Sequence, residues 1–171
     1  MSQLLKELKL NSNDELFENV KWQLALEISK VGIWDFNTET NKIFFSKPSK
    51  AIIGFEDDDA FGQNINDWND RVHPEDKEQY FKDFKDHLNG LLPNYENKHR
   101  ILHKDGTYRW VLDRGQYIEK NLLGEATRVI GTHVDITDYA DNEQTIKETL
   151  DLIAKKNSKL QNFAHIVTHN L

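Results

Sequence analysis

The stretch Arg100-Ile101-Leu102-His103-Lys104-Asp105-Gly106-Thr107-Tyr108-Arg109-Trp110 decides how the rest of the chain is read. An Asp-Gly pair between two apolar-polar runs is the strongest short signal for a β-hairpin. It predicts strands over residues 95–103 and 107–119, folded back at Asp105-Gly106. Working outward, a third strand follows over residues 126–136 after the Asn121 to Glu125 turn, which contains Gly124. Upstream, His73-Pro74-Glu75-Asp76 predicts a helix start, because proline sacrifices no amide partner in the first turn and acids suit the positive end of the dipole. Tyr80, Phe81, Phe84 and Leu88 give that helix its buried face, and Asn89-Gly90 ends it. Further upstream, Ile33-Trp34-Asp35-Phe36 and Lys42 to Ser46 read as two more strands around a polar turn. Residues 48–68 carry short, mixed signals that suit small helical turns. The predicted fold class is α+β: a five-stranded antiparallel sheet with helices on one side.

The two ends of the chain have a different period. Ser12-Asn13-Asp14-Glu15 has the form of a capping box, and Leu16, Val20, Leu24 and Ile28 then recur at intervals of four, which predicts an amphipathic N-terminal helix. From Asp138 onward, Tyr139, Glu143, Ile146, Leu150, Ile153, Asn157, Leu160, Ala164, Val167 and Leu171 alternate steps of four and three. That is a coiled-coil seam on one long helix. Asn157 and Glu143 are polar seam residues; a lone inward amide fixes register and strand number at a cost in stability. The predicted divisions are an N-terminal helix over 1–30, a sheet domain over 31–137 and a helical segment over 138–171.

Composition narrows the function. The formal charge is −7 and no Lys/Arg block occurs, which argues against a nucleic-acid partner. No apolar run approaches the ~20 residues of a membrane helix, and the opening residues lack the apolar middle of a signal peptide, so the expected location is cytoplasmic. The absence of cysteine excludes disulfides, thiolate metal sites and any cysteinyl-flavin photochemistry.

Four strings in order resemble the PAS domain of bacterial sensor kinases: Gly32-Ile33-Trp34-Asp35, His73-Pro74-Glu75-Asp76, the Arg100 to Trp110 stretch, and Gly131 followed by Asp135-Ile136-Thr137. The resemblance runs from about Val20 to Thr137. It implies a PAS fold, with Asp135, Ile136 and Thr137 as the junction that hands a signal to the outgoing helix. Short polar side chains at Asp135 and Thr137 can also brace or cap the helix start there. Leu160 to Leu171 in turn resembles the opening of a histidine-kinase dimerisation helix, through Phe163, Thr168, His169, Asn170 and Leu171. By that resemblance His169 is the phosphoacceptor and Asn170 the residue that orients its ring, in the place where an acid is more usual. With Val167 in the seam, His169 falls on the water-facing side of the helix, where a neutral imidazole could meet a phosphoryl donor. The expected protein is then a piece of a sensor histidine kinase that forms a homodimer through its C-terminal helix. Its partners would be a kinase ATP-binding domain and a response regulator. A PAS module serving a cyclase or a transcription regulator is the alternative.

His165 and His169, four apart on a helix, could also share a zinc ion, but Ile166 stands where a metalloprotease would need its glutamate. His99 and His103 lie about 13 Å apart along a strand, too far to chelate one ion. No metal site is expected. Strict alternation turns Ile33, Phe81, Phe84, His99, Ile101, Trp110, Leu112, Ile130 and Thr132 toward the space between helix and sheet, as ordinary core and as candidate walls of a small-molecule cavity. No cofactor is required. A haem would need an axial histidine, and the family resemblance points to His87, beside the buried face of the long helix; a histidine at the edge of that face is the simpler account.

Overall fold

The computed structural model describes residues 3–56, 61, 62 and 64–169, with side chains for those between 16 and 161. The chain divides into two units, Met1–Asp135 and Ile136–Leu171.

In the first unit, helix α1 (Gln3–Ser29) leads into strands β1 (Gly32–Asn37) and β2 (Lys42–Phe45). Three helices follow: α2 (Lys47–Ile52), α3 (Asn66–Asn69) and α4 (Lys77–Leu88). Strands β3 (Tyr95–Leu102), β4 (Tyr108–Lys120) and β5 (Ala126–Asp135) complete the unit. The strands form one antiparallel sheet in the order β2-β1-β5-β4-β3, so the first and last strands lie side by side at its centre. The fold class is as the sequence predicts. The decisive hairpin turns at Gly106, whose φ of +89° suits glycine, and Asp105 Oδ1 accepts the Thr107 N–H at 2.8 Å.

The core lies between the sheet and the helices. Trp34, Phe36, Phe45, Tyr95, Ile101, Val111 and Val129 project from the strands against Ile53, Phe61, Trp68, Val72 and Tyr80. Helix α2 is anchored through Ser46, whose hydroxyl oxygen accepts from Ile33 N at 2.8 Å and Ser49 N at 3.4 Å.

Three local expectations need correction. Helix α1 runs through the capping box instead of starting at it, and Leu16, Val20, Trp22, Leu24 and Ile28 are all exposed. Helix α4 starts at Lys77, one turn later than Pro74 suggests. Asp76 caps nothing with its side chain, because the carboxylate turns away to accept from Arg100 N at 2.8 Å, Nε at 2.9 Å and Nη2 at 2.7 Å. The string His73 to Asp76 is thus a clamp between helix and sheet. On α4, Tyr80 and His87 are buried while Phe81 is 47% exposed.

The second unit is helix α5 (Thr137–His169), 33 residues long. It begins two residues after β5 ends, and Ala140 N–H donates to Ile136 O at 2.9 Å to close its first turn. No helix among the described residues is long and apolar enough to cross a membrane.

Candidate functional site

A cavity of about 190 Å³ opens between the sheet and helices α3 and α4. Aromatic rings line it: Trp34, Phe36, Phe45, Trp68, Tyr80, Phe81, Phe84 and Tyr95, together with Ile43 and Ile65. Phe81 is the most exposed of these and marks the mouth, while Trp68 and Tyr95, each 1% exposed, lie deep. The polar groups of the lining are Asn69, Asp113 and His133.

Asp113 comes from the inner face of β4, paired with His133 of β5. Its Oδ1 accepts the Trp34 indole N–H at 2.7 Å, its Oδ2 accepts the Tyr95 hydroxyl at 3.2 Å, and His133 Nε2 lies 3.5 Å from Oδ1. His133 Nδ1 is 2.6 Å from Ser49 Oγ, and Trp68 stacks on the His133 ring at 3.8 Å between centroids. Burial, with the Asp113 charge added, raises the Tyr95 phenol well above its ordinary range. Tyr80 is raised for the same reasons and donates to Asn69 Oδ1 at 2.9 Å.

Trp34 fits here because β4 and β5 carry glycine where it crosses. Gly115 and Gly131 are register partners, and Trp34 pairs with Gly131 on the other side. A Cβ on Gly115 would stand 2.7 Å from the Trp34 ring, and one on Gly131 would meet both the ring and the Arg114 carbonyl.

His99 lies just behind the cavity. Its Nε2 accepts the Trp68 indole N–H at 3.3 Å and its Nδ1–H donates to Asn97 Oδ1 at 3.1 Å; Asn97 Nδ2 donates to Asp83 Oδ2 on α4 at 2.6 Å. Burial pushes the His99 imidazole down to about 4, so it is a neutral strut between α3, β3 and α4.

Of the cavity candidates drawn from alternation, Phe81 and Phe84 line the cavity, and His99 and Ile101 project from the inner face of β3. Ile33, Leu112, Ile130 and Thr132 must be corrected: they lie on the opposite, outer face, as the burial alternation of β1, β4 and β5 requires. Trp110 also shares that parity on β4, and the Arg100 guanidinium lies over its ring. These residues point outward, while inward positions between them on β4 and β5 hold Asp113, Gly115, Gly131 and His133. The two mid-strand glycines were the available signal for the true parity, because glycine inside a strand marks close approach of another group.

His87 is fully buried but lies outside the cavity lining. Its Nδ1–H donates to Leu92 O at 3.0 Å and its Nε2 accepts Tyr117 N–H at 3.1 Å. With both ring nitrogens engaged in structural bonds, His87 does not fit the role of a haem ligand. The cavity is also below the ~300–1,000 Å³ of pockets for drug-sized molecules. At the junction, Asp135 ends β5, Ile136 precedes α5 and Thr137 starts it. The side chain of His169 and the whole of Asn170 lie outside the described residues.

No curated protein sequence matches the chain. Among solved structures, a sensory box histidine kinase/response regulator from Burkholderia thailandensis is 28% identical, with a TM-score of 0.69, over 79% of this chain and 98% of the other. The N-terminal domain of a diguanylate cyclase with PAS/PAC sensor from Marinobacter aquaeolei is 27% identical, with a TM-score of 0.56, over 64% of this chain and 98% of the other. A domain of a light and redox sensing histidine kinase from Haloarcula marismortui, at 23% identity and a TM-score of 0.53 over 68% of this chain and 98% of the other, shares the fold. A family model described as the PAS fold matches residues 42–133, more than half of the chain, and covers the elements that line the cavity except β1. The chain belongs to the PAS family.

Proposed function

We propose that the chain is the sensory PAS module of a two-component sensor histidine kinase. The aromatic cavity is its sensing site, the residues Asp135, Ile136 and Thr137 its output joint, and α5 the helix that carries the signal to the phosphoacceptor His169. The observation that carries this reading is the state of α5. Tyr139, Ile146, Leu150, Ile153 and Leu160, all at seam positions, are between 48% and 65% exposed in the single chain. Burying a Leu or Ile side chain is worth about 1.5–3 kcal/mol, so a second copy laid along the seam would cover what one chain leaves open. Glu143 and Asn157 in the same seam keep that pairing marginal, as suits a joint that must exist in two packings whose balance the sensing site biases.

Phosphate would come from the ATP-binding domain of the kinase and pass from His169 to a response regulator, with Asn170 orienting the ring. Label from γ-labelled ATP in the full kinase should be acid-labile and base-stable, lost in His169→Gln and kept in His165→Gln. Label that survives His169→Gln refutes the assignment. The 27% identical cyclase domain supports a second output on the same sensory unit. The codons that follow Leu171 separate the two: an Arg, then a Pro and a second helix belong to the kinase.

A further inference from the structure

The geometry points to a small organic ammonium ion as the ligand of the aromatic cavity, with its nitrogen held by Asp113. This rests on the cavity being the sensing site. Asp113 is 2% exposed, yet it lines the cavity and is the only acidic residue of the lining among the described residues. An ionised carboxylate has about four lone-pair positions. Trp34 and Tyr95 take one on each oxygen, at 2.7 and 3.2 Å, and His133 Nε2 approaches a third at 3.5 Å. None of these donors carries a fixed positive charge. The His133 ring is held on its other side by the Ser49 hydroxyl, 2.6 Å from Nδ1. Among the described residues, no Lys or Arg lines the cavity.

A buried carboxylate with no Lys or Arg beside it among the described residues is costly, and a ligand that brings a fixed positive charge is favoured for that reason. The walls supply the second half of the recognition. Trp68, Phe45, Tyr80 and Phe84 offer π surfaces, and a cation within about 6 Å of such a ring is attracted by its quadrupole, most strongly when water is excluded. An anion would meet Asp113 with the same sign of charge. A volume of about 190 Å³ equals roughly six water molecules at ~30 Å³ each, which limits the ligand to a single ring or short chain beside the ammonium.

The test uses three probes of nearly one shape, benzylammonium, benzyl alcohol and benzoate, titrated calorimetrically into the full chain at neutral pH, with Trp fluorescence as a second readout. The expected result is benzylammonium binding at least tenfold tighter than benzyl alcohol, and no benzoate binding. Asp113→Asn should reduce the first ratio to less than threefold. Equal affinity for the alcohol and the ammonium overturns the proposal and leaves the cavity as a sensing site. If no probe binds, the proposal falls, and a native mass spectrum of fresh protein then decides the wider reading: a retained uncharged or anionic molecule preserves the sensing site, and a bare chain removes it. Should Asp113→Asn fail to fold, the ratio in the unaltered protein decides alone.

Discussion

Adding one methyl group at Gly131 should damage both the fold and the cavity. Gly131 lies in a central strand with β1 on one side and β4 on the other, and the Trp34 ring lies over it. A Cβ there would collide with Trp34 Cε2 and Cζ2 and with the backbone carbonyl of Arg114. The carbonyl belongs to a paired strand and cannot swing aside, so the indole must move. Overpacking of this kind costs about 1–3 kcal/mol. Moving the indole also breaks its 2.7 Å bond to Asp113 Oδ1 and leaves a buried carboxylate short of a donor, another ~1–3 kcal/mol. The total is about 4 kcal/mol. At 4–8 °C per kcal/mol for a unit near one hundred residues, Gly131→Ala should melt roughly 15–30 °C below the unaltered protein.

Circular dichroism reads this at two wavelengths: far-UV ellipticity gives the melting point, and the near-UV bands report the Trp34 environment before melting. Gly115→Ala should cost less, since its Cβ would stand 2.7 Å from the far edge of the same ring and 3.3 Å from Ile130 O. Gly90→Asn is the control, because Gly90 has a φ of +75°, which asparagine tolerates, and nothing within 4 Å of a Cβ. A Gly131→Ala protein that melts within about 3 °C of the unaltered one, with its near-UV bands intact, would refute the proposed packing.

His99 should make stability fall in mild acid. Its folded pKa is held at about 4 against about 6.5 in the unfolded chain, so stability is full above 6.5 and declines as pH drops toward 4; urea titrations should lose about 2 kcal/mol between pH 7 and pH 5, and His99→Gln should flatten that slope. Asp76 is shifted in the same direction, its carboxyl held below the usual range chiefly by the hydrogen bond from the Arg100 side chain, so its contribution is full above about 3.8 and lost as pH falls through the lowered folded value. Asp76→Ala removes the clamp between α4 and β3 and should cost about 1.5–3 kcal/mol in urea at pH 7. Leu150→Asp, which sets a charge in the α5 seam, should turn a dimer into a monomer by sedimentation while the melting of the sheet unit stays put; an unchanged dimer would exclude the seam as its interface.

What was legible in the sequence follows from which forces are local. The Asp105-Gly106 turn declares itself because a φ of +89° is a property of one residue, and the long helix α5 declares itself because a helix needs no distant partner to set its period. Strand parity on β1, β4 and β5 is not local, and there the apolar rule pointed the wrong way. Leu112, Ile130 and Ile33 look like core residues, yet the inward positions beside them hold Asp113, Gly131 and Trp34. A sheet built only for stability would have no reason to put a carboxylate, an imidazole and two glycines on its buried face, since each removes apolar contact from the core. The glycines make sense once Trp34 is seen crossing them, and Trp34 in turn makes sense through its bond to Asp113. The departure from ordinary patterning therefore coincides with the cavity floor, where local rules are expected to give way to a site. His133 extends the same logic: stacked on Trp68 and bonded to Ser49, it joins the floor of the cavity to β5, the strand that ends two residues before the outgoing helix begins.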